Sequence, residues 1–258
     1  MESKSNIKKF ILLFIIIAYS ITAIGYFVWF YLGSVFESEY FEVAGIIPIL
    51  APVIAAFVIY IKSKRKVRVP FGSCSMKDAL IGVIIPIIYL GIPYIIYCIY
   101  RGEIITTKIS NEELVIVIIQ SIIIGICEEI GWRGILLPLM KKAYNFKKAI
   151  ILNGVVWGIW HYPMIFGGLI LNYFGFLQGI ILFTIETIFI TTIMAMLQLK
   201  LKPISIWPIV LVHMSHNIVI ELINRSDTNK VIIGDGGYLT LAVMVIFIIF
   251  MCYRSKSK

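Results

Sequence analysis

Eight runs of apolar residues, most near the ~20 that a helix needs to cross a bilayer, divide this chain of 258 residues. They lie near 10–33, 43–61, 79–100, 112–131, 149–169, 175–197, 204–222 and 237–252. Inside hydrocarbon every backbone N–H and C=O must find its partner within the protein, which leaves helices or closed barrels. Runs this long and this continuous select helices. The predicted fold is therefore all-α: a polytopic membrane helix bundle of about eight transmembrane helices. Only 14% of residues are charged, against ~25% in soluble domains, and the charges sit in short connectors. One integral membrane domain over 1–258 follows.

The net charge of +9 raises nucleic acid as a partner, and the placement of the charges removes it. Nineteen of the 23 lysines and arginines fall at the chain ends or in every second connector. Those connectors hold the "KSKRKVR" run with Lys77, Arg133 with the lysines of "KKAYNFKK", and Lys200 with Lys202. The intervening connectors hold only Arg101, Lys108, Arg225 and Lys230. Cytoplasmic loops carry the excess of basic residues, so both termini are assigned to the cytoplasm and lipid is the expected surrounding. The N-terminal apolar run is too long for a cleaved leader and lacks a small-x-small site, so it is expected to stay as a signal anchor. Cys74, Cys98, Cys127 and Cys252 show no CxxC spacing and read as free thiols or small apolar residues.

Against that background the segment "CEEIGWRG", residues 127–134, stands out. A charge at the bilayer centre costs roughly 2.5–3.5 kcal/mol on insertion scales. Glu129 and Arg133 are four residues apart on one helix face and can pair. Glu128 is turned ~100° from Glu129, so one arginine cannot serve both, and Glu128 is left for chemistry. Arg133 is expected to reach the headgroups by snorkelling, and "ILLPLMKKAYNFKKA" after it reads as an interfacial segment or a plain connector.

The remaining intramembrane polar groups are few. "WGIWHYP" carries His161 among aromatic residues, with Pro163 freeing a carbonyl nearby. "LVHMSHNIV" places His213 and Asn217 on one face, with His216 off that face. Glu186 stands without a partner on its own helix, to pair across the bundle or line a cavity. Each group has a plain reading as a satisfied core residue. Together, a carboxylate, imidazoles and an amide in a dry cavity suit activation of water for attack on a carbonyl. The same groups could hold one divalent metal, zinc for instance, through Glu128, His161 and His213.

The three segments resemble the CAAX prenyl protease and bacteriocin-processing family, CPBP or Abi, of intramembrane endopeptidases. Its pattern is EExxxR, an aromatic-xxx-His motif and His-xxx-Asn, on separate helices. Here these read Glu128-Glu129 to Arg133, Trp157 to His161, and His213 to Asn217, in order, within a core at about 112–222. Tryptophan stands at Trp157 where phenylalanine is commoner, at what reads as a packing position. The resemblance implies a peptidase whose site opens toward the cytoplasm. Glu128 and His161 would activate water, His213 and Asn217 would stabilise the oxyanion, and Glu129 and Arg133 would support them. A glutamate mechanism needs no cofactor, and a metal mechanism is the competing description. The expected substrate is a membrane-associated protein or peptide, as in bacteriocin processing, peptide maturation or immunity. Isoleucine- and lysine-rich usage suggests a bacterial plasma membrane. A proton-coupled transporter and a catalytically silent immunity or scaffold protein are the rival readings.

The charge pattern makes a direct prediction. Reporter fusions after Lys66 and after Lys148 should read cytoplasmic, and fusions within 102–110 or 226–236 external. A cytoplasmic signal from 102–110 would overturn the orientation.

Overall fold

The computed structural model describes residues 3–36, 45–167, 175–201 and 204–256. Helices form every extended element among them; strand-like pairing is limited to two isolated bridges, Phe71 with Ser205 and Thr107 with Ser226. In chain order they are α1 (Lys4–Phe36), α2 (Ile46–Lys62), α3 (Met76–Arg101) and α4 (Asn111–Gly131). A π-helical turn (Trp132–Leu136) then leads into α5 (Leu137–Ala143) and α6 (Phe146–Trp160). After these come α7 (Tyr162–Phe166), α8 (Phe176–Lys200), α9 (Trp207–Asn224), α10 (Lys230–Ile233) and α11 (Tyr238–Lys256).

Each predicted apolar run corresponds to one long helix or, for the fifth, to α6 with α7. Edges of the second and fifth runs, 43–44 and 168–169, lie outside the described residues, as do Lys202 and Lys258. Six stretches are long and apolar enough to cross a membrane. Helix α2, with 17 residues, and α9, with the polar "HMSHN", are not among the six. Both are nevertheless integral to the bundle: α2 packs on α1 and α4, and α9 lies between α3 and α4.

Local sequence fixes where several helices begin. Ser75 caps α3 by accepting the Asp78 N–H at 3.1 Å. Ser110 and Glu113 form a reciprocal capping box at the start of α4, and Asn145 accepts the Lys148 N–H at 2.9 Å to start α6. Such caps satisfy donors that the first helical turn leaves unpaired. Helix α3 ends at Gly102, whose φ of 71° is a left-handed conformation that glycine adopts without penalty.

The helices alternate in direction, and their connectors meet in two groups. At one end, connector 63–75 touches connector 201–206: Ile206 N–H donates to the Pro70 carbonyl at 2.9 Å, and Ser205 Oγ to the Gly72 carbonyl at 2.9 Å. At the other, Lys108 pairs with Asp227 at 3.0 Å and Arg225 with Glu113 at 2.8 Å. The lysine-rich connectors thus share one end of the bundle and the acid-rich connectors the other, as the charge alternation requires.

The segment after "CEEIGWRG" departs from its expected interfacial placement. The chain runs on through the π turn to Ala143, and Leu136, Leu137, Leu139 and Met140 are buried. These apolar side chains pack α5 against α1 and α6, and that burial draws the segment inward. Pro138 is tolerated because it sits in the first turn of α5.

Close helix approach sets the frame of the interior. A Cβ on Gly154 of α6 would stand 2.6 Å from Ile188 Cα of α8. Thr187 Oγ1 exploits the approach by donating to the Gly154 carbonyl at 3.0 Å. Gly154→Val should therefore force α6 and α8 apart and abolish monodisperse folded protein in size-exclusion chromatography. Gly91→Ala, on α3 with no atom near its Cβ, should elute as the wild type does.

Candidate active site

The strongest polar constraint lies where α4 passes into the π turn. Arg133 is 1% exposed. Its guanidinium donates to Glu129 Oε1 at 2.8 Å and to Thr191 Oγ1 on α8 at 2.9 Å. Its Cζ lies 3.9 Å from the centre of the Trp157 ring, in cation–π range. Arg133 therefore does not snorkel to the headgroups. A carboxylate one turn away, a hydroxyl and an aromatic face replace water for it inside the bundle, so it turns inward.

Glu129 binds a second partner. His213 on α9 donates Nδ1–H to the same Oε1 at 2.7 Å. One carboxylate thus joins α4, the π turn and α9. Glu128 faces elsewhere, as its rotation about the helix predicts, and its Oε2 accepts the Trp157 indole N–H at 2.7 Å. Trp157 is therefore more than packing. Phenylalanine could supply the face under Arg133, and only tryptophan supplies the donor to Glu128. The departure at this position was visible in the sequence; its partner was not.

His161 is placed by the end of its own helix. The last turn of α6 tightens, so the His161 backbone N–H pairs with the Gly158 carbonyl at 3.1 Å. The Trp157 carbonyl then accepts from His161 Nδ1 at 2.9 Å. A carbonyl can only accept, so Nδ1 carries the hydrogen and Nε2 keeps its lone pair. Edge contacts with Trp157, Trp160 and Phe183 fix the ring plane.

Glu128, Trp157, His161, His213 and Asn217 line one cavity of about 790 Å³. Three helices thus bring the three motifs together. Glu129 and Arg133 lie behind them, bracing rather than lining. His216 and Glu186 share the cavity wall, joined by Asp235 from connector 225–237. Thr191 and Asp235 had not been singled out in the sequence. Thr191 belongs to a stripe with Thr184 and Thr187 at helical spacing, a signal that was there to use; Asp235 gave none.

Along α4, α6 and α9 the lining residue nearest the lysine-rich end is a motif residue: Glu128, Trp157 and His213. From that floor the lining runs past Gln120, Met164, Phe183 and Ile220 to Tyr26, Ile46 and Asp235, toward the acid-rich connectors. The resemblance implies a cytoplasmic opening. The cavity instead extends to the side that the charge pattern places outside.

The conditional metal set also meets a geometric test. Among the described residues, the one group of three or more potential ligands lying within 4.8 Å of one another is Glu186, His216 and Asp235. Glu128, His161 and His213 form no such group. As placed, the motif residues do not gather three ligand atoms around one point. All four cysteines are free, as expected.

Comparison with known proteins agrees with the three motifs. The family described as type II CAAX prenyl endopeptidase Rce1-like matches residues 110–219. The CAAX prenyl protease 2 of Methanococcus maripaludis is 26% identical over 244 residues, covering 86% of this chain and 89% of the relative. Both comparisons support the resemblance to the CPBP family. Six long apolar helices make the chain a multi-pass membrane protein, and the segment matched by the CAAX-protease-like model contains every residue of the three motifs.

Arg133 is the residue on which this geometry should depend for stability. Arg133→Ala leaves buried Glu129 with His213 as its remaining partner, and breaking a buried ion pair costs about 3–5 kcal/mol. Folded yield and thermal midpoint should both fall. Unchanged thermal stability would show that Glu129 does not need its partner.

Proposed function

We propose that the chain hydrolyses a peptide bond of a membrane-associated protein or peptide, using water activated between Glu128 and His161. The observation carrying this reading is the convergence of Glu128, His161, His213 and Asn217 in one cavity. Water attacks the carbonyl carbon as its proton passes to Glu128 or to the free Nε2 of His161. The resulting oxyanion is received by the Asn217 amide and by Nε2 of His213. Because Nδ1–H of His213 is given to Glu129, that donation requires the imidazolium form. The tetrahedral intermediate then collapses, the C–N bond breaks, and the proton taken from water is returned to the leaving amine. No metal takes part in these steps.

The apolar walls, with Ile49, Ile124, Phe183 and Ile190, suit an extended hydrophobic segment. On the charge-based orientation it enters from the outer face of a plasma membrane. Processing of a bacteriocin-like or other short membrane peptide fits such access. The similarity to a CAAX prenyl protease of Methanococcus maripaludis supports the peptidase reading. The core at about 112–222 works as part of one domain spanning the chain.

Mutagenesis with a membrane peptide substrate tests the roles. Glu128→Gln preserves size and the Trp157 hydrogen bond while removing the base, so turnover should fall about 10²–10⁴-fold at unchanged abundance. His161→Ala should behave alike. His213→Ala and Asn217→Ala should each cost about 2.7–4 kcal/mol of transition-state stabilisation. Trp157→Phe should stay folded and lose less than Glu128→Gln. Full proteolysis by Glu128→Gln would remove Glu128 from the mechanism.

A further inference from the structure

The wall of the same cavity holds a second polar cluster that the proposed hydrolysis does not use. Glu186 of α8 is 1% exposed. Its Oε2 accepts the Gly236 backbone N–H at 2.6 Å, and its buried Oε1 has no hydrogen-bond partner. His216 of α9 hydrogen-bonds the Tyr89 hydroxyl of α3 through Nδ1 at 2.9 Å, and its Nε2 lies 3.7 Å from Asp235 Oδ1. One ligand atom each from Glu186, His216 and Asp235 falls within 4.8 Å of the other two. All three residues line the cavity, so an ion has access to them.

A buried carboxylate oxygen without a donor costs free energy unless something positive reaches it. Here an imidazole nitrogen and a second carboxylate stand around the space where a cation would satisfy it. We propose that Glu186, His216 and Asp235 form a binding site for one divalent transition cation of the zinc or manganese type. The donor set decides the class. Calcium and magnesium take oxygen ligands, whereas mixed imidazole and carboxylate donors suit zinc, manganese or ferrous iron.

The distances fit with a small closure. Zinc bonds to nitrogen and oxygen of about 2.0–2.2 Å in a tetrahedral site set ligand atoms roughly 3.4 Å apart, so His216 Nε2 and Asp235 Oδ1 at 3.7 Å are nearly in place. The Tyr89 hydroxyl supplies the outer contact that ligating histidines almost always have, fixing the ring so that Nε2 faces the carboxylates. With three protein ligands the ion keeps a position for water. The bound ion ties connector 225–237 to α8 and α9 in the wall of the cavity, through groups other than Glu128 and His161. The site is thus a clamp on the cavity wall, and its occupancy is measurable without any protease assay.

Full-length protein in lipid nanodiscs, stripped with chelator and dialysed against Zn(II) or Mn(II), tests the site. One ion per chain should be retained by elemental analysis, with a raised thermal midpoint. Tyr89→Phe keeps the packed ring and removes only the outer contact; it should weaken affinity about 10–100-fold. His216→Ala and Asp235→Asn remove ligands and should weaken it at least as much. Glu128→Gln should bind as the wild type does. Three results overturn the site: no retention by the wild type at millimolar ion, affinity unmoved in Tyr89→Phe and Asp235→Asn, or affinity lost equally in Glu128→Gln. The first would leave a shared proton as the positive charge between the carboxylates; the last would move the ion to the motif residues.

Discussion

A guanidinium that reaches no water must find its entire solvation shell in protein, and Arg133 takes its own from three helices. Glu129 comes from the preceding turn, Thr191 from α8, and the Trp157 face from α6. Each contact adds little net stability once desolvation is counted, but each is costly to lose once the charge is buried. Their combined effect is to fix how α4, α6 and α8 sit around the π turn. Glu129 then extends the network to α9 through His213. The bundle around the cavity is thereby organised about one buried cation.

That arrangement explains why two adjacent glutamates differ. Glu129 spends Oε1 on Arg133 and His213 together, while Glu128 receives a single neutral donor, the Trp157 indole. Trp157 is the element they share. Its face lies under Arg133, its N–H meets Glu128, its carbonyl orients His161, and its ring edge contacts His213. Bracing and chemistry are coupled through one side chain, so a perturbation of either reaches the other.

The cavity also divides by depth. Glu128 and His213 lie nearest the lysine-rich end, His216 stands at the level of Asn217 on α9, and Asp235 comes from one of the acid-rich connectors. Pairing of those connectors through Lys108 with Asp227 and Arg225 with Glu113 stabilises the mouth from outside. Exposed pairs of this kind are screened by solvent and contribute little. Holding the mouth in one shape therefore depends more on buried groups such as Glu186 than on the exposed pairs.

The sequence by itself determined the helical class, the eight runs, their alternation and the segments that meet at the site. Hydrophobic length and charge placement are enforced by the bilayer residue by residue, so they are legible without a fold. The pairing of Glu129 with Arg133 was legible for the same reason, since helix geometry alone sets that spacing. Contacts between helices were decided only by tertiary structure. Arg133 turned inward because Thr191 and Trp157 arrive from distant segments. The stretch after the π turn became core because α1 and α6 cover it. The face toward which the cavity extends, and the meeting of Asp235 with Glu186 and His216, depend on how helices tilt and pack, and one-dimensional spacing carries no term for that.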